Sequence, residues 1–158
     1  MPRQSFSYSL VRALCGAAAI GVMVVAAEIA ATPLMWIPFA SSIVLVLGSP
    51  ETDAAQYHRV LGGHLICAAS GVLCTQLCGF GPWVAVIAVG LAMLMMLRLD
   101  VFHPPAAATP IVIVATAASP LFILSPSLAG AMLLIGFSWI CQRLSPEGQA
   151  GNSSENNQ

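Results

Sequence analysis

Val101-Phe102-His103-Pro104-Pro105-Ala106-Ala107-Ala108-Thr109 runs straight into the apolar stretch Pro110 to Ala118. A titratable imidazole and two prolines thus stand at the mouth of a hydrophobic segment too short for an ordinary membrane span. Proline suits the first turn of a helix, where its missing N–H costs no hydrogen bond. Polar chemistry at the start of a short apolar helix is where membrane transporters bind ions.

Five further apolar segments surround this one. They run from about Leu10 to Ala31, Pro33 to Gly48, Val60 to Phe80, Pro82 to Leu99, and Leu121 to about Arg143. A hydrocarbon core ~30 Å thick takes about 20 helical residues to span. The segments beginning at Pro33 and Pro104 have about 15 or 16 residues, roughly 24 Å of helix. Both start with proline, and Pro50 and Pro120 bound their far sides. The fold expected is an all-α polytopic membrane helix bundle, with short second and fifth helices.

Composition agrees. The 158 residues are 58% hydrophobic and 7% charged, whereas a soluble domain carries about 25% charge. There is no lysine, and a net charge of −1 gives no reason to expect nucleic-acid binding. The five cysteines lie inside apolar runs. Their odd number and lack of paired metal spacing speak against a disulfide framework or a zinc site, so no metal and no cofactor is expected. The N-terminal run could pass for a signal peptide. From Ala13 to Ala31 it is longer than such a peptide's apolar core, and it reads as a retained first span. Residues 1–9 are expected to form a cytoplasmic N-terminus, 10–144 the transmembrane domain, and the polar stretch 145–158 a disordered tail.

Arginine placement chooses the topology. With six crossings and a cytoplasmic N-terminus, Arg3, Arg12, Arg59, Arg98 and Arg143 all fall inside, as the positive-inside tendency requires. If the short segments were re-entrant, Arg59 and Arg98 would move outside. Six crossings in a bacterial inner membrane, with both termini cytoplasmic, is the preferred layout.

A shift of 67 residues lays the first half on the second without gaps, placing Pro38 on Pro105, Ala40 on Ala107, Ser42 on Thr109 and Gly63 on Gly130. Repeat one covers about 10–80 and repeat two about 81–144. Each unit holds three crossings, so the second enters from the opposite face and the repeats are inverted. Inverted repeats with a short helix in each half point to a transporter or channel with its site near the midplane.

The chemistry expected there is mild. A helix N-terminus offers unsatisfied N–H groups and partial positive charge, hence a place for an anion. Hydroxyls of Ser41, Ser42 and Thr109 donate without a fixed charge, which suits a small anion that must leave again. The duller alternative is that such hydroxyls bond back to their own helix. His103 is poised to load and release protons. His64 follows Gly62-Gly63, which would let another backbone approach and free the imidazole to face inward. Glu28 is an ionisable group near the outer end of the first span, where such groups are costly and often functional. It could also reach the interface.

Two blocks carry a family resemblance. His103-Pro104-Pro105-Ala106-Ala107-Ala108 looks like the signature of the HPP family of small integral membrane proteins. Ala55-Gln56-Tyr57-His58-Arg59-Val60-Leu61-Gly62-Gly63-His64 resembles that family's loop pattern Ala-Gln-Pro-Arg-Asn-Val-Ile-Gly-Gly-His. The resemblance spans nearly all of residues 10–143. It implies a membrane protein whose plant-plastid and cyanobacterial relatives are nitrite transporters, and it carries over His103, Pro104, Pro105, Gln56, Gly62, Gly63 and His64. The pattern departs at Tyr57, His58 and Arg59, where the basic residue is displaced by one position.

Two functions are expected to compete: transport of a small monovalent anion, nitrite first, coupled or gated by protonation of His103 together with His64, or a non-transporting membrane anchor or sensor subunit acting through a partner. The shortness of the stretch after Ser145 weighs against a sensor. No nucleophile–base pair, metal motif or pair of intramembrane carboxylates suggests an enzyme. The partners expected are the lipid bilayer and a small inorganic anion, with assembly into a homo-oligomer left open by close-packing glycines such as Gly62 and Gly130.

Overall fold

The computed structural model describes residues 6–31 and 36–144, all helical or in short connections. Arg3, Pro33 and the polar stretch 145–158 lie outside the described residues. Six α-helices follow in order: α1 (Phe6–Ile29), α2 (Ile37–Gly48), α3 (Tyr57–Cys78), α4 (Pro82–Arg98), α5 (Ala108–Thr116) and α6 (Ala129–Leu144). Helix α1 begins ahead of the expected boundary at residue 10, so Phe6 to Ser9 are already helical. Phe6–Ile29, Tyr57–Cys78 and the broken rod Pro120–Leu144 are long and apolar enough to cross a membrane.

Four helices end where the backbone turns to positive φ. Ala31, Gly79, Asp100 and Ala117 lie just past helix C-termini, and Ala117 (φ 51°, ψ 41°) makes the usual left-handed stop. Pro82 and Pro104 then open the next helical turns. The short fifth segment is composite. A 3-10 turn, Pro104–Ala107, passes into α5, and Ala118 N–H closes it on the Ile113 carbonyl at 3.1 Å. The last segment is broken as well: Ser125 is extended (φ −133°, ψ 117°) within a wide turn, Leu124–Leu128, ahead of α6.

Polar contacts order the ends of the bundle. Arg12 of α1 donates to the Leu47 carbonyl at the end of α2. Arg59 near the start of α3 pairs with Asp100, just past α4, at 3.0 Å. Tyr57 Oη donates to Gln142 Oε1 of α6 at 3.5 Å. Each successive helix therefore reverses direction, and Arg12, Arg59, Arg98 and Arg143 gather at one end. Single cysteines replacing Arg59 and Arg98 in a cysteine-free background should react with an impermeant maleimide from the same membrane face. Labelling from opposite faces would refute the arrangement.

Packing is interlocked. Helix α3 lies against α4 and α5, whereas α6 lies against α1 and α2. Helix α3 is the central rod: 56% of its apolar window is buried, against 17% for α1. Its small residues make that closeness feasible. A Cβ on Gly62 would lie 2.7 Å from Val101 Cγ1, and one on Gly63 would lie 2.7 Å from His103 Cβ. Without them the segment Val101–His103 could not lie against α3.

Candidate functional site

Where α2, α3 and the His103 turn meet, four polar side chains are sealed from solvent. Ser42, His64 and His103 are fully buried and Thr109 is 1% exposed. Each is placed by a different local device. Pro38 fixes the first turn of α2, and Ser42 follows one turn later with its hydroxyl 3.1 Å from the Pro38 carbonyl. His64 sits two turns into α3, directly after the glycines that admit the His103 segment. His103 caps the 3-10 turn in an extended conformation (φ −129°, ψ 91°) that points its ring inward rather than along the helix.

The contacts form one connected chain. Ser42 Oγ lies 2.8 Å from His103 Nε2 and 2.9 Å from His64 Nε2. His64 Nδ1 lies 3.3 Å from Thr109 Oγ1. His103 Nδ1 donates to the Ala54 carbonyl at 2.7 Å, in the loop between α2 and α3. That assignment is fixed because a carbonyl can only accept. The two imidazoles are tilted neighbours with ring centroids 5.5 Å apart. Phe39 stacks on His64 with ring centroids 4.5 Å apart.

No fixed charge lies among these four. All four described carboxylates, Glu28, Glu51, Asp53 and Asp100, are exposed. Arg59 is engaged with Asp100 at the end of the bundle. Among the described residues no group of three metal-ligating side chains comes together. The site is thus a neutral cluster of hydroxyl and imidazole groups in an apolar bundle, able to donate and accept without an obligatory ion pair.

Phe39 also lines a cavity of about 170 Å³, walled by Trp36, Ser125, Pro126 and Gly130 among others. The ring fits over Gly130, where a Cβ would lie 2.5 Å from Phe39 Cζ. The cavity belongs to the end of the bundle opposite the arginines, since Trp36 packs against the buried cluster that includes Ala27, Val72 and Phe122. The Phe39 ring thus touches both the cavity and the polar cluster.

The residues singled out from sequence divide clearly. Ser42, His64, His103 and Thr109 are brought together, and Gly63 supports His103. Pro104 and Pro105 open the turn behind His103 and supply no N–H. The Ala106 N–H bonds back to the His103 carbonyl at 3.1 Å, so this first turn directs little backbone donation at a ligand. Ser41 points away, exposed, with its hydroxyl on the Pro38 carbonyl at 3.1 Å. Gln56 is exposed and reaches Asp53 at 3.4 Å. Arg59 and Glu28 lie apart from the cluster, Glu28 exposed on the last turn of α1. Sequence reasoning missed Phe39 and the Ala54 carbonyl. The spacing of Phe39 three residues before Ser42, on one helical face, was the available signal for the first.

No curated protein and no solved structure matches this chain. The family model described as "HPP, transmembrane region" matches residues 1–150, and the chain belongs to that family of membrane proteins.

Proposed function

We propose that this protein carries a small monovalent anion across the bacterial plasma membrane, nitrite being the first candidate, by way of the Ser42–His64–His103–Thr109 cluster. The observation that carries the reading is the cluster itself: four uncharged polar side chains, sealed inside an apolar bundle, that satisfy one another at rest. Polar groups are costly in such surroundings, and hydroxyls and imidazoles bind an anion loosely enough to release it. The arginine-rich end is taken as cytoplasmic.

Two inverted repeats fit the packing. Exchanging α1, α2 and α3 with α4, α5 and α6 turns each principal helix pairing into another that also occurs: α1 with α6 becomes α4 with α3, and α2 with α6 becomes α5 with α3. In this scheme Ser42 and Thr109 are equivalent positions, and they flank the two nitrogens of His64. The ion would pass between the cavity beside Phe39 and the cluster, then leave past the Ala54 loop.

The test is nitrite uptake by proteoliposomes holding the purified full chain. Saturable uptake above empty vesicles is expected, and its absence for nitrite and related anions alike would return the protein to the role of anchor or sensor subunit. In the same assay His103→Ala should flatten the pH dependence of uptake. An unchanged pH profile would leave His103 a packing residue.

A further inference from the structure

Three groups compete for the single hydroxyl of Ser42. Its Oγ is within hydrogen-bond reach of the Pro38 carbonyl at 3.1 Å, His64 Nε2 at 2.9 Å and His103 Nε2 at 2.8 Å. A hydroxyl has one proton and two lone pairs, so the partners must share them in a definite way. His103 Nδ1 holds a proton, because it faces the Ala54 carbonyl at 2.7 Å. In neutral His103 the other nitrogen, Nε2, is then a lone pair, and Ser42 gives its proton to it. Ser42 accepts from His64 Nε2–H, and Thr109 O–H donates to His64 Nδ1. Every donor points the same way, from Thr109 to Ala54.

A proton added to His103 Nε2 changes one element of this chain. The imidazolium now donates to Ser42, and the Ser42 proton swings to the Pro38 carbonyl. His64 and Thr109 keep their bonds. The hydroxyl then satisfies all three neighbours at once, with no heavy atom displaced. The arrangement accommodates His103 in both protonation states at the cost of one hydroxyl rotation.

Charge decides what accompanies the proton. An unpaired charge in an apolar interior is strongly disfavoured. Among the described residues, the titratable groups around His103 are His64 of α3, with ring centroids 5.5 Å apart, and the buried Cys67 thiol of α3, which packs with Val101, Phe102 and Ala106. On the Ala54 loop, Asp53 is exposed beside Gln56, and in the link after α4 Asp100 is paired with Arg59. Helices α2 and α5 present Ser42 and Thr109, and α4 presents Met96. No carboxylate there neutralises an imidazolium, and no free guanidinium neutralises an anion. We infer that His103 is the proton carrier of the transport cycle, that Ser42 is the positioning switch that admits its proton, and that one proton crosses with each anion in an electroneutral step. The proton is taken from water on the loading side, rides on His103 Nε2 opposite the anion, and returns to water with it.

This inference rests on the anion-transport reading, and its test separates the two. Proteoliposomes of the full chain receive nitrite while an internal pH dye counts protons and potassium with valinomycin sets the potential, empty vesicles correcting for nitrous acid that diffuses unaided. One proton per nitrite is expected, with a rate indifferent to the imposed potential. An inwardly directed acid gradient of one pH unit should accumulate nitrite about tenfold at zero potential. Ser42→Ala should lower the proton-to-nitrite ratio, and Ser42→Thr should restore it. Saturable uptake that follows the membrane potential and moves no protons overturns the inference while leaving transport intact. Absence of all anion uptake overturns both. If Ser42→Ala does not fold, the stoichiometry of the unaltered protein decides alone.

Discussion

Gly63→Ala is expected to abolish anion uptake and to destabilise the bundle by about 1–3 kcal/mol, the usual range for overpacking a tight interior. The added methyl would lie 2.7 Å from His103 Cβ, 3.4 Å from the Val101 carbonyl oxygen and 3.5 Å from Met96 Sδ. The first neighbour is anchored at the backbone and cannot swing aside. Either α3 retreats or the His103 turn does. His103 is held through both ring nitrogens at 2.7 and 2.8 Å, and a displacement of several tenths of an ångström breaks one of these bonds. Loss of function should therefore exceed what the stability change alone would cause. Gly90→Ala and Gly136→Ala are the matched controls, since a Cβ there meets nothing within 4 Å. Both should leave uptake and melting temperature close to the parent, because alanine is the better helix former. Parent-like uptake in the Gly63→Ala protein would show that the close approach is not needed.

Phe39→Ala should produce the other large effect, in two measurements at once. The ring is 4% exposed, stacked on His64 and seated over Gly130. Truncating a buried phenylalanine costs roughly 3–5 kcal/mol where neighbours cannot collapse into the space. A lowered melting temperature in detergent is the first readout. The second is flux. Without the ring, the cavity of about 170 Å³ walled by Trp36 and Pro126 would run on to the His64 imidazole. Downhill nitrite movement should rise relative to the amount of folded protein, while accumulation against a gradient falls. Phe39→Leu, which refills part of the volume, should restore stability more fully than it restores accumulation. A protein that is destabilised yet transports with unchanged accumulation would assign Phe39 to packing alone.

Much of this architecture could be read from residues. The six apolar segments, the two short ones and the end to which Arg12, Arg59, Arg98 and Arg143 belong follow from hydropathy, proline and charge. Both imidazoles of the site stood out because few other titratable groups interrupt the apolar runs. The choice between Ser41 and Ser42 was not readable. They are adjacent in a helix apolar on every side, so no amphipathic stripe sets its rotation, and only packing decides that Ser42 turns inward. The Ala54 carbonyl is a main-chain group, invisible to any reading of residue types. The last segment breaks at Ser125-Pro126-Ser127, a signal present in the sequence that a single apolar run from Leu121 to Arg143 passes over. The interlocked packing of α3 with α4 and α5, and of α6 with α1 and α2, depends on contacts between segments far apart in the chain, which local pattern does not encode.

That interlocking has a consequence for how the protein comes into being. Helix α6 supplies Gly130, the seat of the Phe39 ring, and of the six described helices it is the last to leave the ribosome. When α1, α2 and α3 are already synthesised, α3 still awaits α4 and α5, and α2 awaits α6. Insertion must therefore hold the early helices in the lipid with incomplete contacts, and the interior closes in a final step as α6 docks. Quality control in the membrane would see the cluster at Ser42 uncovered on its Phe39 side for as long as that last helix is missing.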